Sequence, residues 1–440
     1  MSELKAGFAR IDITPPLGTT MAGYPEVRHA DGILDPLLAT AVAFDNGVKR
    51  AVVLSLDLIG IGMKLMEGFR SAVAAAIGAD KEGVFIHCTH THTGPTVAAR
   101  NSEGKVENEE YLQWLEKKMQ DVAVLAVQDL APAKMLYTHG QVKDVAFVRR
   151  FLLKNGKYRT NPGFQCPDVD HAVGEPDELS SLLIIKRENA PEIGIVHFQV
   201  HPDVIGGCKL SADYPKFVRD TYEQLVENSR CMYINGAQGD TNHVDIRLGE
   251  GTCRGGYERS RYMGRKIAMS VVANYPMAKP LSGSEISYDQ KSITVKYNKG
   301  RPEQIEDALY TEKIFREQGR EAALPSKTGV KNIRSFWEAR RIVSLMNMPD
   351  EKELCVTALR IGDMVFAGFP GEPFTDIGRA VKANSKFTLT LPVCAANGYE
   401  GYYPMLSVFS EGGYEFNTAR YVAGVAEALI DASTEIVNSL

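Results

Sequence analysis

Along the chain, short apolar, β-branched runs repeatedly end in a polar cluster, and a helical pattern often follows. Residues 51–59, AVVLSLDLI, read as a buried strand. Residues 63–77, MKLMEGFRSAVAAAI, carry the helical period and stop at Gly78, which suits a left-handed cap. Residues 83–88, GVFIHC, read as the next strand. Strands joined by a crossover helix are expected to lie parallel. The same grammar returns where 193–200 (IGIVHFQV) runs into His201, 231–234 (CMYI) into NGAQGD, 363–369 (DMVFAGF) into PGEPF and 388–394 (TLTLPVC) into AANGYEGYY. Further helical patterns cover about 213–228, 256–274, 374–384 and 418–437. The stretch 300–345 is highly charged and mostly helical in pattern. Because it carries Phe315, Trp337 and Ile342, it reads as an inserted or peripheral subdomain within one 1–440 unit, not as a linker. The predicted class is α/β, with a mixed, largely parallel central sheet flanked by helices.

Polar clusters at 87–95, 201, 235–243, 370–375 and 397–402 all lie just beyond the C-terminal end of an apolar strand. In open α/β sheets ligands bind in the crevice at that edge, so the site is expected there.

Bulk composition narrows the partners. Hydrophobic residues make up 44% and charged residues 24%, the balance of a soluble globular chain. The net charge of −5 is spread without long blocks, which gives no basic footprint for nucleic acid. No run of about 18 apolar residues predicts a transmembrane helix. The start, MSELKAGFARIDITPP, lacks the basic-then-apolar layout of a secretory signal, so a cytoplasmic location is expected. Seven cysteines, with no CxxC pair, signal neither a thiolate zinc site nor a disulfide framework. Cys88, Cys231 and Cys394 sit in strand-like runs and are expected to be buried small hydrophobes.

Candidate chemistry concentrates in FIHCTHTHTGP, residues 85–95, which holds His87, His90 and His92 of the chain's 9 histidines. In extended backbone His90 and His92 point to the same side. Two such imidazoles can share a metal, or one can ligate while the other works as an acid. Gly94-Pro95 suits a tight turn that lets backbone approach a bound group. His201-Pro202 ends an apolar strand, whereas His197, between Val196 and Phe198, reads as core. Glu372, in FPGEPF, is stiffened by flanking prolines, as suits a ligand; it also suits the start of the helix that follows. Tyr399, Tyr402, Tyr403 and Tyr414 read as packing or a substrate wall. NGAQGDTNH, with Asn235, Gly239, Asp240 and Asn242, reads either as a pocket for an anion or developing oxyanion, or as a surface turn. Two histidines, a carboxylate and an open position make the donor set of a catalytic zinc, one Zn2+ per chain, which lowers the pKa of a water and polarises a carbonyl. No GxSxG elbow and no GxxxxGK[ST] loop occurs, so serine-hydrolase and nucleotide-phosphate chemistry lose ground.

Taken in order, AGFARIDITPPLGTTMAGY (6–24), DPLLATAVAFDNG (35–47), SLDLIG (55–60), THTHTGP (89–95), HP (201–202), NGAQGD (235–240), PGEPFTDIGR (370–379) and NGYEGYYP (397–404) resemble the neutral/alkaline non-lysosomal ceramidase family, across about the whole chain. The resemblance implies a ceramidase-like catalytic domain with one zinc held by His90, His201, Glu372 and Tyr402. It implies that His92 contacts substrate and shuttles a proton, that Arg149 in VRRF binds substrate, and that Tyr414, twelve residues after Tyr402, stabilises an oxyanion. The implied reaction is attack of a zinc-activated water on an amide (N-acyl) carbonyl. The chain departs from the family in three places. Asp240-Thr241-Asn242-His243 lacks the serine that follows the Gly-Asp in ceramidases, Val148 replaces the asparagine before the arginine, and no C-terminal immunoglobulin-like domain is expected. Ceramide, a small soluble amide or ester, and a sugar- or amino-acid-derived compound all stay open as substrates. A zinc-dependent esterase, lactonase or carbohydrate-active enzyme is the alternative, and a non-catalytic binding protein on the same fold is the rival of another class.

Overall fold

The computed structural model describes residues 3–97, 108–249, 251 and 255–440; Cys253 lies outside the described residues. Among the described residues, β1 (Lys5–Asp12), β2 (Leu38–Asp45), β3 (Arg50–Leu56), β4 (Val84–Cys88), β5 (Ala131–Gln141), β6 (Leu179–Arg187), β7 (Glu192–Phe198), β8 (Ser229–Asn235) and β9 (Lys279–Pro280) form a nine-stranded sheet. Its order is β8-β7-β6-β5-β1-β2-β3-β4, with β9 against β5. A second sheet of four strands runs β10 (Ile286–Lys296), β11 (Glu351–Ile361), β12 (Met364–Gly368) and β13 (Leu389–Val393).

The expected mixed α/β architecture is present, but the expectation of largely parallel pairing is corrected. Parallel pairs are confined to β3/β4, β7/β8 and β12/β13, and the other pairings in these sheets are antiparallel. Connection length accounts for part of this. Each parallel pair is bridged by one helix, Met63–Ile77, Tyr214–Leu225 or Thr375–Asn384 respectively. Short turns join β2 to β3, β6 to β7 and β11 to β12, as at Asp45-Asn46-Gly47, where Gly47 takes φ 78° and its N–H donates to Asp45 Oδ1, and a tight turn can only return the chain antiparallel; the other antiparallel pairs are brought together by longer segments. The helix predicted over 63–77 has those bounds, with Gly78 left-handed at φ 62°. The helix expected over 418–437 is instead split into Tyr414–Thr418 and Val425–Ser439. Between them Tyr421 forms a bridge to Tyr297, and Gly424 turns the chain at φ 94°. The 300–345 stretch forms helices Pro302–Gln318, Pro325–Thr328 and Phe336–Leu345 around a small cluster of Ala308, Ile333, Ala339 and Ile342.

The two sheets share an interior. Phe44, Val53 and Phe85 from one arm of the large sheet meet Ile193, Ile195 and Ile234 from the other, with Leu359, Phe366 and Leu391 of the small sheet. This folding brings the two outer parallel pairs together. Ser55 Oγ donates to Tyr233 O at 2.8 Å, and Asn235 Nδ2 donates to Thr89 O at 3.1 Å. The chain leaving β13 is stitched to both, through Cys88 N to Ala395 O at 3.2 Å and Cys394 N to Asn235 O at 3.1 Å. The C-terminal ends of β4, β7, β8, β12 and β13 therefore converge. Cys88, Cys231 and Cys394 are buried and unpaired, as expected.

One ion pair locks the convergence. Asp57, just past β3, receives both terminal nitrogens of Arg219 at 2.9 and 2.7 Å, with both side chains at most 2% exposed. Asp57 also accepts Leu38 N at 3.0 Å and Thr89 Oγ1 at 3.3 Å, and Arg219 lies on the Tyr214–Leu225 helix. Asp57→Ala is expected to lower the unfolding free energy by about 3–5 kcal/mol, because it strands a buried cation. Urea unfolding checks this, and a loss below about 1 kcal/mol would show that Arg219 finds another partner.

Candidate metal centre and cleft

His90 follows β4 on a left-handed backbone, φ 75°, which is uncommon for a residue with a side chain. Backbone bonds on both sides hold it there: Thr89 N donates to Leu56 O at 2.8 Å and His90 N to Leu58 O at 2.9 Å. Its Nδ1 lies 2.6 Å from Ile59 O, which makes Nδ1 the protonated nitrogen and leaves a lone pair on Nε2. His92 is fixed by Pro202 O, which accepts its N–H at 3.2 Å, and by Arg28, whose Nη2 donates to His92 O at 2.8 Å. Gly23 packs against it at φ 107°; a Cβ there would stand 2.9 Å from His92 Nδ1, so this contact requires glycine. His201 ends the run from β7. Asp213 steadies the loop after it, accepting Val204 N at 2.9 Å and Ile205 N at 3.0 Å.

These loops bring His90, His92 and His201 together, with ligand nitrogens all within 4.8 Å of one another and all three side chains buried. Glu372 Oε2 lies 3.3 Å from His90 Nε2 and 3.7 Å from His201 Nδ1. Two ligands about 2.0–2.2 Å from one tetrahedral ion would sit about 3.3–3.6 Å apart; the His90 distance falls in that range and the His201 distance just beyond it, close to what a zinc ion needs. The hydrogen bonding also suits the ion: the buried Nδ1 of His201, which faces Glu372, has no hydrogen-bond partner. Glu372 is buried yet held at about 2: burial pushes its carboxyl up, and His90, Tyr399 and Arg149 outweigh that. Burial, reinforced for His201 by its neighbours His90 and Arg149, pushes His201 well below its ordinary value, and burial also lowers His92. An ionised carboxylate beside imidazoles such as His92 and His201, which burial keeps from protonation, suits a metal.

Glu372 and Tyr402 sit opposite each other on two short parallel segments, Glu372–Pro373 and Tyr402–Tyr403. Glu372 precedes the helix that starts at Thr375, so it is not a helix first-turn carboxylate. The Tyr402 ring stacks on His201, centroids 6.5 Å apart, and meets the Tyr414 ring edge-on at 5.7 Å. The Arg149 guanidinium lies 5.3 Å from the Tyr402 ring and 5.6 Å from that of Tyr414. Above them opens a cleft of about 570 Å3, whose lining includes His92, His201, Arg149, Tyr402 and Tyr414.

Other expected site residues brace this arrangement from behind and do not line the cleft. Asn235 binds Thr89 O. Gly239 O accepts Arg149 Nη2 at 2.8 Å, and a Cβ on Gly239 would meet Glu372 O at 2.5 Å. Asp240 Oδ1 accepts Thr375 N at 2.8 Å and Thr375 Oγ1 at 2.7 Å. Asn242 Nδ2 donates to Asn161 Oδ1 at 2.9 Å. Asn235, Asp240 and Asn242 thus spend these polar groups on the protein, and Gln238 Nε2 donates to Glu372 Oε2 at 3.4 Å. Gly94 likewise faces the protein, its carbonyl accepting Ala22 N at 3.0 Å. His87 is buried in β4 away from the cluster, and His197 is core, with Nε2 2.7 Å from Pro392 O.

Sequence reasoning missed three neighbours. Tyr399 donates its hydroxyl to Glu372 Oε1 at 2.5 Å; it stands in the NGYEGYY run, but nothing in that composition separates it from Tyr402. Asp203 Oδ1 lies 3.6 Å from His92 Nδ1 and accepts the Tyr24 hydroxyl, and its place two residues after His201 was the available signal. Glu415 accepts Arg149 Nε at 2.8 Å and adjoins Tyr414.

No family model and no curated protein matches the sequence. Solved structures do match over its full length. A neutral ceramidase from Pseudomonas aeruginosa superposes with a TM-score of 0.75 at 16% identity, covering 100% of this chain and 74% of that one. A ceramidase complexed with C2 superposes at 0.71 and 17% identity, covering 100% and 75%. The chain therefore has the fold of the neutral ceramidases. No helix among the described residues is long and apolar enough to cross a membrane.

Because the folded state holds His92 and His201 below their ordinary 6.5, the unfolded chain takes up protons below that pH that the folded chain refuses. Stability of the metal-free protein should therefore fall as pH drops from about 6.5, by roughly 1–2 kcal/mol per pH unit. Urea unfolding of chelator-treated protein at pH about 7.5 and about 5.5 checks this; equal stabilities would mean that the imidazoles titrate normally.

Proposed function

We propose that the protein is a zinc-dependent hydrolase that cleaves the amide bond of an N-acyl compound, as a ceramidase does. The observation that carries this reading is the meeting of His90 Nε2, His201 Nδ1 and Glu372 Oε2 beside an open cleft that His201 and Tyr402 line. These three residues, with Tyr402 as the fourth, would hold the ion. Bound there, zinc would supply a Lewis acid that polarises the scissile carbonyl and lowers the pKa of a water toward 7.

The chain's own residues supply the rest. His92 is neutral at physiological pH and reaches the cleft, so it can take a proton from the attacking water and return it to the leaving amine. Asp203, at 3.6 Å from its Nδ1, steadies the imidazolium formed in between. Tyr414 has its phenol pushed up to about 12, chiefly by burial, so it stays protonated and can donate to the oxyanion of the tetrahedral intermediate. Arg149 is clamped by Glu415 and the Gly239 carbonyl, and holds its charge beside both tyrosines with little room to move. That fixed positive charge favours the developing negative charge without reorganisation.

His90→Ala and Glu372→Ala should each abolish zinc retention, while His92→Ala keeps the metal and loses at least about a hundredfold in turnover. Elemental analysis beside hydrolysis of N-acyl substrates reads both; full turnover by His92→Ala would remove the proton-shuttle role. Tyr399→Phe takes away the donor on Glu372 Oε1 and should weaken zinc binding about 10–100-fold, as seen by competition with a chelator. Unchanged affinity would mean that Tyr399 is only packing.

A further inference from the structure

We propose that the substrate is a small amide bearing an anionic group, a carboxylate or a phosphate, gripped by Arg159 and Arg320 at the mouth of the cleft. This rests on the hydrolase reading of the same site and narrows its substrate.

The walls of the cleft carry the inference. Among the described residues that line its roughly 570 Å3 there is no Leu, Ile, Val, Met or Phe. A ceramide is neutral and carries long hydrocarbon chains, and sites for apolar ligands are built mainly of apolar side chains. This lining is glycine, proline, threonine, asparagine, histidine, tyrosine and tryptophan, with charges of both signs.

Those charges do not cancel. The lining carries three arginines, Arg149, Arg159 and Arg320, against one carboxylate, Asp203. Arg149 is already balanced by Glu415. Asp203 is engaged by the Tyr24 hydroxyl and His92. That leaves Arg159 and Arg320, neither of which has a carboxylate within ion-pair distance among the described residues. Both are exposed, as a group that must meet a ligand from solvent has to be.

Both are also carried on ordered supports. Arg159 lies in the strand Tyr158–Thr160, paired with Phe151, and the next residue, Thr160, is tied to Glu415 Oε2 at 2.8 Å. The Arg320 guanidinium lies over the Trp337 ring at 5.2 Å. Trp337 meets Tyr414 edge-on at 5.2 Å, so an aromatic ladder runs from Arg320 through Trp337, Tyr414 and Tyr402 to His201. A guanidinium fork binds a carboxylate or a phosphate through paired hydrogen bonds. The charged 300–345 stretch thereby gains a role, since it supplies Arg320 and Trp337 to the wall above the metal cluster.

Titration calorimetry with N-acetylglycine and N-acetylethanolamine phosphate, against the neutral N-acetylglycinamide and N-acetylethanolamine, tests this on the full chain. The anionic members should bind at least about tenfold tighter, and Arg159→Ala and Arg320→Ala should each weaken them about tenfold. Circular dichroism confirms that both exposed-site variants stay folded. The preference should shrink as salt rises. Tighter binding of N-acetylglycine than of the phosphate assigns an N-acyl amino acid, and the reverse an N-acylated phosphoalcohol; either supports the clamp. Equal binding of anionic and neutral members, or a short-chain ceramide bound as tightly as the anions, overturns it. Anion binding without hydrolysis of any of these compounds by zinc-loaded protein would sink the hydrolase reading and leave the clamp standing.

Discussion

The site depends first on the buried pair of Asp57 and Arg219. Neither charge can be hydrated where it sits, so each must be satisfied by the other, with Leu38 N and Thr89 Oγ1 donating further bonds to Asp57. Few arrangements of the surrounding elements meet that condition. The one that does places the end of β3, the segment that carries His90 and the helix beyond His201 at fixed separations. The two edges of the large sheet would otherwise have little to hold their ends in register, because they meet through a few hydrogen bonds such as Asn235 to Thr89.

On that frame the donors are held by backbone as well as by one another, His92 Nε2 lying 3.0 Å from His201 Nε2. His90 keeps an unfavourable φ because bonds to Leu58 and Ile59 over-determine it. His92 is pressed by Gly23 and tied to Pro202, and Glu372 is braced by Tyr399 and by the paired Tyr402 segment. The cluster is thus preorganised, with an ionised carboxylate beside His92 and His201, which burial keeps from protonation. Such a set could hold a divalent cation and takes up a proton poorly, and that selectivity comes from burial as much as from residue type.

Fold likeness and cleft chemistry speak to different questions. At 16% identity the superposition with the neutral ceramidase establishes the frame alone. What the frame acts on is decided by side chains above the cluster, several of which come from outside the core sheets. Trp337 and Arg320 belong to the charged helical stretch, and Tyr158, Arg159 and Asn161 to the small hairpin after β5. Different side chains above a common frame are how one fold serves several substrates.

Much of this was legible in the residues. The β-α-β units at 51–88, 193–235 and 363–394 could be read from period and punctuation, because a buried strand and a crossover helix leave local patterns. From those units followed the strand-end location of His90, His201 and Glu372. Three things were not legible. The antiparallel majority of the pairing depends on which strands a turn returns against, and long segments such as 142–178 hide that choice. The inward turn of the 235–243 amides, away from the cleft, depends on neighbours more than a hundred residues away in sequence, such as Thr375 and Glu372. The parts of Tyr399, Asp203 and Glu415 emerge only when separate strand ends meet, since a side chain's partner is set by distance in space. By itself the sequence determined which segments are strands or crossover helices, and which residue types could carry metal chemistry. Only the tertiary structure decided which of those residues share one small volume, because burial and long-range hydrogen bonds do not exist until the two sheets close on each other.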